Sequence, residues 1–180
     1  PEILEIVKEP GDDYTFGAVW HTDQMFNPEP AKATMLYAHE VPRSGGDTQF
    51  SNQYLAYETL SEPMKEILKT IKTYNVGDGF RRGVGKIKRK DRYASNPKMQ
   101  AKIKDPGNTP TESVHPLVRT HPETKKKLLY IGSHTQNLFG FHENEADTLI
   151  DFLRAHSTRP EFTCRFRWEV GSLALWDNRC

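Results

Sequence analysis

The residues best suited to chemistry are a histidine and an aspartate two positions apart, in Trp20-His21-Thr22-Asp23. In an extended segment, residues i and i+2 project to the same side, so His21 and Asp23 could offer an imidazole nitrogen and a carboxylate oxygen to one metal ion. One more histidine would complete a two-histidine, one-carboxylate set, which leaves positions on Fe(II) open for a cosubstrate and dioxygen. The spacing alone is a weak signal, because it also fits a turn in which Asp23 caps backbone amides and His21 lies at the surface.

The composition narrows the class of protein. The 180 residues suffice for one domain. With 25 basic and 24 acidic residues the formal net charge is +1, which argues against a dedicated nucleic-acid-binding protein. Aromatic residues make up 11%, which argues against disorder, and no apolar run is long enough to predict a membrane-spanning helix. Two cysteines, Cys164 and Cys180, cannot build a disulfide framework, and we expect a reducing, cytoplasmic location.

Short strands dominate the elements that must position the pair. Apolar alternation and bounded apolar runs predict strands at 2–7, 16–21, 33–41, 47–51, 115–118, 128–131, 163–170 and 172–176. Helices are predicted at 54–61, from Pro63 with Ser61 or Glu62 as N-cap, and at 143–156. We expect Cys164 on the apolar face of its strand, as a small buried hydrophobe. The predicted fold is mainly β with helical decorations, a β-sandwich or jelly roll.

A basic segment interrupts this pattern. Residues 81–104 contain ten basic side chains and one acid, within a stretch of about 79–110 that begins at Gly79 and closes with Pro106-Gly107-Asn108. Three interpretations stay open: a solvated insertion, which we favour, a lid that attracts an anionic substrate, or a nucleic-acid-binding surface. The chain begins at Pro1 and stops just after a strand-like run, so we expect a single partial domain over 1–180, truncated at both ends.

Six stretches, in the same order along the chain, carry a resemblance to one known family. They read WHTDQMF at 20–26, PAKA at 30–33, GGDT at 45–48, AYETLS at 56–61, HPLVRTHP at 115–122 and WDNR at 176–179. Together they resemble the taurine dioxygenase/2,4-dichlorophenoxyacetate dioxygenase (TauD/TfdA) family from about residue 16 to 180. The resemblance implies a double-stranded β-helix, a jelly-roll form, that carries an Fe(II)- and 2-oxoglutarate-dependent oxygenase.

The resemblance also implies roles for particular residues. His21 and Asp23 would be two of three iron ligands, and the Thr48 hydroxyl would help hold a carboxylate of 2-oxoglutarate. The family's third ligand is a histidine that follows the position of Arg179 after three intervening residues, so it would lie beyond Cys180. An arginine for the far 2-oxoglutarate carboxylate would come later still. We therefore expect this stretch of chain to be inactive alone and its parent protein to be active.

The substrate is less closely defined. Taurine enzymes carry an asparagine four residues before the first ligand, and Gly17 stands there. The resemblance implies a small anionic substrate: taurine or a related sulfonate, an alkyl sulfate or an aryloxyalkanoate. Tyr130 is either a substrate-pocket aromatic or a core residue, and Phe80 is a further pocket candidate. A jelly-roll binding module without catalysis is the alternative from another class. The resemblance is compatible with a homo-oligomer, but the sequence does not indicate which residues would form an interface.

The other histidines are expected to be structural. We place His39 in a strand, expect His115 and His121 to pack or hydrogen-bond, and expect surface or helix-cap positions for His134, His142 and His156.

Overall fold

A computed structural model describes residues 3–9, 11, 12, 15–77, 79–81, 85–87, 91, 97–102 and 111–180. Across these residues the chain alternates short strands with helices. The strands are β1 (Ala33–Tyr37), β2 (Thr48–Ser51), β3 (Lys72–Val76), β4 (Gly79–Arg81), β5 (Gly85–Ile87), β6 (Glu112–Pro116), β7 (Val118–Thr120), β8 (Lys127–Leu129), β9 (Thr135–Leu138), β10 (Thr163–Phe166) and β11 (Leu173–Asp177). The helices are α1 (Gln53–Glu58), α2 (Glu62–Leu68), α3 (Pro97–Lys102), α4 (Glu143–Ser157) and a 3-10 helix (Pro160–Phe162).

Among the described residues every strand pair is antiparallel, and several pairs join distant parts of the chain. Strand β1 pairs with β11 so that Thr34 lies opposite Trp176, and β2 pairs with β10 so that Thr48 lies opposite Phe166. A three-stranded sheet has the order β6-β3-β9, while β4–β5 and β7–β8 form two further pairs. The β1–β11 pairing brings residues near position 34 beside residues near position 176, which the site depends on.

The helices begin where the sequence supplies caps. The Asn52 side chain accepts the N–H groups of Tyr54 and Leu55 at the start of α1. Ser61 is the N-cap of α2 and accepts the N–H of Met64, with Pro63 in the first turn, as predicted. At α4, the Glu145 carboxylate accepts the backbone N–H of the N-cap residue, 3.0 Å away.

The main core lies between these helices and the sheets. It contains Leu68, Leu117, Leu129, Leu138, Ile150 and Leu153, all fully buried. A second, smaller cluster of Met25, Leu128 and Tyr130 lies under the segment that carries His21 and Asp23. This small cluster anchors the candidate site to the fold.

Several sequence predictions are wrong. Residues 3–9 form no strand, and 16–21 form an irregular segment that begins with a turn at 16–17, where Gly17 takes a positive φ of 72° that is incompatible with an extended strand. Strand β10 ends at Phe166 instead of residue 170, and Cys164 is exposed, so it is not the buried hydrophobe that was predicted. His39 lies just outside β1.

The basic segment lies largely outside the described residues. Strands β4 and β5 and helix α3 belong to it. The interpretations of 79–110 as an insertion, a lid or a nucleic-acid surface therefore stay predictions. Within the described part of the chain, no helix has the length and apolar character that crossing a membrane requires.

Candidate functional site

The segment from Trp20 to Met25 is a loop held in place at several points. Ser133 donates its backbone N–H to the Trp20 carbonyl at 3.0 Å, and the Ser113 hydroxyl donates to the Met25 carbonyl at 2.8 Å. The Met25 side chain is fully buried. Gly132 packs so closely that a Cβ there would lie 3.4 Å from the Cα of His21. The loop is therefore positioned by tertiary contacts rather than by strand pairing.

Within this loop, His21 and Asp23 come together. Nε2 of His21 lies 3.3 Å from Oδ1 of Asp23, and the two side chains are 30% and 29% exposed, so a ligand can reach them from solvent. Nδ1 of His21 lies 2.6 Å from the Val19 carbonyl oxygen. A carbonyl only accepts, so Nδ1 carries a proton and, in the neutral ring, Nε2 keeps its lone pair. In the neutral ring a lone pair therefore faces a carboxylate oxygen, and in the protonated ring Nε2 donates a hydrogen bond to that oxygen and stabilises the ionised carboxylate.

The second oxygen of Asp23 is already engaged. The Thr34 hydroxyl donates to Oδ2 at 2.6 Å. Burial raises the pKa of Asp23, but the contacts with His21 and Thr34 lower it by more, so the carboxyl is ionised at neutral pH. The ionised oxygen that remains, Oδ1, is the one facing His21.

This arrangement fits a divalent metal ion. Two neighbouring ligand atoms on one octahedral ion, each about 2.1 Å from it, lie about 3 Å apart, close to the spacing seen here. Imidazole nitrogen with carboxylate oxygen is the donor set of the Fe(II) facial triad. Within the ranges that the structure describes, no third histidine, cysteine or carboxylate joins the pair. His21 and Asp23 could thus supply two of three protein ligands.

Thr48 lies at the start of β2, away from direct contact with the pair. The Trp168 indole N–H donates to its hydroxyl oxygen at 2.9 Å. Phe50 shares the face of β2 with Thr48, since side chains alternate along a strand, and its ring lies 5.3 Å from that of Trp176. No hydrogen bond joins Thr48 to His21 or Asp23 among the described residues.

Tyr130 lines a small cavity of about 20 Å³ beside the loop, together with Thr22, Gln53 and Asn178. Its side chain is 3% exposed, and its oxygen lacks a well-formed hydrogen bond within the described part of the chain. The Arg119 guanidinium lies 4.3 Å from the ring centroid. Burial raises the pKa of Tyr130 to about 12 although Arg119 opposes this, so the phenol keeps its proton. The Phe80 side chain lies outside the described residues.

A second histidine–aspartate contact forms nearby. Nε2 of His121 lies 3.2 Å from Oδ2 of Asp177, whose carboxylate also holds Arg179 through its Nε and a terminal guanidinium nitrogen. Cys180 places its thiol within 4.8 Å of the ligand atoms of His121 and Asp177. Nδ1 of His121 accepts two backbone N–H groups, from residues 123 and 124. Nε2 therefore carries the proton and donates to Asp177, so this cluster does not offer a free nitrogen to a metal.

The environments predicted for the remaining histidines are confirmed in part. His115 and His121 hydrogen-bond, and His142 caps α4. His156 was expected at the surface or at a cap, which is wrong: it is 9% exposed, and its Nε2 lies 2.8 Å from the Ala56 carbonyl, which joins α4 to α1.

The sequence reasoning missed Asn178. This residue is 3% exposed, and its amide contacts Trp176, Thr34 and the backbone N–H of Asp23. The signal was present as the third letter of WDNR, but that motif was used only to locate the segment before a third ligand.

Comparison with known proteins defines the class. The profile of the taurine catabolism dioxygenase TauD, TfdA family matches residues 3–180, and the chain belongs to this family. An alpha-ketoglutarate-dependent 2,4-dichlorophenoxyacetate dioxygenase of Burkholderia sp. (strain RASC) is 34% identical over 164 residues, which cover 90% of this chain and 50% of that protein.

Two solved structures share the fold. A taurine dioxygenase from Burkholderia xenovorans is 35% identical with a TM-score of 0.70, over 89% of this chain and 47% of that one. AAD-2 in complex with Mn(II) and N-oxalylglycine is 28% identical with a TM-score of 0.70, over 89% of this chain and 58% of that one. The chain spans about half the length of the curated relatives it matches.

Proposed function

We propose that the whole protein containing this chain is an Fe(II)- and 2-oxoglutarate-dependent dioxygenase that hydroxylates a small anionic organic substrate. The observation that carries the proposal is the 3.3 Å distance between His21 Nε2 and Asp23 Oδ1. The other ring nitrogen, Nδ1, is hydrogen-bonded to the Val19 carbonyl, and the other carboxylate oxygen, Oδ2, accepts a hydrogen bond from Thr34. The bound iron, with 2-oxoglutarate and dioxygen, supplies the oxidation, which also yields succinate and carbon dioxide. The protein's own residues bind, orient and shield the reactants.

The chain contributes part of this machinery. His21 and Asp23 would hold the metal, and the Thr48 hydroxyl would donate to a carboxylate of 2-oxoglutarate. A histidine that follows Cys180 in the whole protein would be the third ligand. N-oxalylglycine, bound with Mn(II) in the related AAD-2 structure, is an analogue of 2-oxoglutarate and supports this cosubstrate.

Tyr130 favours an anionic substrate. A buried phenol that keeps its proton is a hydrogen-bond donor, and the nearby Arg119 guanidinium adds positive charge. The relatives named for taurine and for 2,4-dichlorophenoxyacetate point to sulfonates and aryloxyalkanoates, and alkyl sulfates have the same charge. We propose Tyr130 as a pocket residue, with Phe80 as a second candidate.

We also propose that the strand pairs belong to a double-stranded β-helix. The likeness of 89% of the chain to the taurine dioxygenase structure, at a TM-score of 0.70, supports this topology. Residues 1–180 would then form one partial domain, with the segment of about 79–110 as an insertion or lid.

Succinate release by the full-length protein tests the proposal. The reaction contains Fe(II), 2-oxoglutarate and, in separate arms, taurine, other sulfonates, alkyl sulfates or aryloxyalkanoates. We expect at least one substrate to stimulate succinate release, and His21→Ala or Asp23→Ala to abolish it, whereas His39→Ala, which changes an exposed histidine, leaves it unchanged. Substrate binding without succinate from any arm would instead indicate a binding module and contradict the proposal.

A further inference from the structure

The Asn178 amide has one possible orientation. Its Oδ1 lies 3.1 Å from the indole Nε1 of Trp176 and 3.4 Å from the backbone N of Asp23. Both of these groups can only donate, so the amide atom facing them is the oxygen. The amide nitrogen, Nδ2, therefore points the other way, to the Thr34 hydroxyl oxygen at 2.8 Å.

This orientation determines where the Thr34 hydroxyl points its proton. The amide nitrogen donates, so Thr34 accepts from Asn178 and must direct its own hydrogen elsewhere. Oδ2 of Asp23 lies 2.6 Å from the Thr34 hydroxyl oxygen. An ionised carboxylate oxygen has no proton to donate, so Oδ2 accepts the hydrogen bond from Thr34. The hydrogen bonds thus run in one direction, from Trp176 through Asn178 and Thr34 to Asp23.

The backbone keeps these groups in register. Thr34 lies opposite Trp176 in the β1–β11 pair, and the backbone N–H of Asn178 donates to the Lys32 carbonyl at 2.9 Å, one step beyond the ladder. The Thr22 hydroxyl donates to the Asn178 carbonyl at 2.8 Å and ties the loop to the same strand end. Asn178 is 3% exposed, so water competes little for its amide.

We infer that Thr34 and Asn178 are positioning residues: Asn178 orients the Thr34 hydroxyl, which occupies Oδ2 of Asp23 and so leaves Oδ1, the oxygen facing His21, as the oxygen that binds the metal. The inference rests on the proposed iron site and specifies which of the two Asp23 carboxylate oxygens binds the metal. Hydrogen bonds behind a ligand commonly change metal affinity by roughly 10- to 100-fold when they are removed.

Mn(II) affinity of the metal-free, full-length protein tests this inference, measured from the electron paramagnetic resonance signal of free Mn(II). Thr34→Val keeps the β-branched shape but lacks the hydroxyl, and we expect it to bind Mn(II) about 10-fold or more weakly. Thr34→Ser restores the hydroxyl and is expected to bind like wild type. Thr163→Val, which removes a strand hydroxyl bonded to the Pro160 carbonyl, is the matched control and should not change the affinity.

Asn178→Asp provides a second variant, should Thr34→Val fail to fold. It replaces the donating amide nitrogen with an acceptor and adds charge beside Asp23, and we expect weaker Mn(II) binding. Wild-type affinity in the variant that folds, or equally weak binding by Thr34→Ser and Thr34→Val, would overturn the inference while leaving the iron site intact. A wild-type protein that binds no Mn(II) would overturn both.

Discussion

Two histidine–aspartate contacts in this molecule have nearly the same length and opposite chemistry. Nε2 of His21 lies 3.3 Å from Asp23, and Nε2 of His121 lies 3.2 Å from Asp177. The two pairs differ at the other ring nitrogen. In His21 it faces a carbonyl oxygen, and in His121 it faces two backbone N–H groups.

That difference decides what each pair can do. The carbonyl requires a proton on Nδ1 of His21, so in the neutral ring the lone pair is on Nε2, which faces Asp23 and suits a cation. The two N–H groups require the lone pair on Nδ1 of His121, so its Nε2 proton makes a hydrogen bond with Asp177. The first contact is suited to a metal, and the second is a structural clamp.

Burial and charge strengthen the contrast. The His121 side chain is 3% exposed, and Asp177 also binds the Arg179 guanidinium. The Arg179 guanidinium also lies 3.2 Å from the Glu123 carboxylate. This ion pair links the end of β11 to the turn after β7. The His21 side chain is ten times more exposed than that of His121. The proximity of Cys180 would by itself favour the His121 cluster as a metal site, whereas the hydrogen-bond directions favour His21 and Asp23.

The largest expected effect separates the two pairs by metal binding. In the full-length protein, His21→Ala should remove measurable Mn(II) binding because it deletes a proposed ligand, while His121→Ala should keep binding close to the wild-type level. Titration of Mn(II) with detection of the free ion checks both variants. Loss of binding in His121→Ala with a folded protein would contradict the comparison.

Stability should respond in the opposite way. His121→Ala leaves two backbone N–H groups without their acceptor and removes one hydrogen-bond donor to Asp177, and we expect the free energy of unfolding to fall by about 1–3 kcal/mol. His21→Ala changes a more exposed loop residue and should have a smaller effect. Urea unfolding of the metal-free proteins measures the difference, and equal losses would show that the second pair is no clamp.

The sequence predicts some of these regions better than others. The approach of His21 to Asp23, the N-cap of α2 and the strands at β1, β2, β8 and β11 follow from local pattern and motif, whereas the strand predicted at 115–118 is divided between the end of β6 and the start of β7. Strand β3 was missed because its inward side chains include Thr73 and Asn75, which are fully buried but polar. They are satisfied by each other and by Thr135, contacts from 60 positions away that no apolar alternation reveals. The role of Asn178 and the tautomer of His121 could not be predicted for the same reason, because both depend on hydrogen bonds that form only in the folded chain.

Acid should weaken the clamp. Hydrogen bonds from Arg179 lower the pKa of Asp177 well below its usual value, although burial opposes them. A depressed folded pKa contributes stability above the unfolded value of about 3.9, and this contribution is lost as pH falls below it. The stability difference between wild type and Asp177→Asn should therefore be largest at neutral pH and shrink below about pH 4. Urea unfolding at several pH values measures it, and a difference that stays constant into acid would refute the assignment.

The smallest expected effect concerns Cys180. Burial raises the pKa of its thiol, so the metal-binding thiolate is disfavoured at neutral pH. Cys180→Ser should leave Mn(II) affinity and stability unchanged within error. A marked drop in affinity would show that the His121, Asp177 and Cys180 cluster binds metal after all.

Nitrogen NMR of the histidine rings in the full-length, metal-free protein, above pH 7, tests the central claim most directly. The account predicts a proton on Nδ1 of His21 and on Nε2 of His121. Adding diamagnetic Zn(II) should shift the Nε2 resonance of His21 and leave His121 unchanged. A His21 ring whose single proton lies on Nε2, or a Zn(II) shift confined to His121, would contradict it.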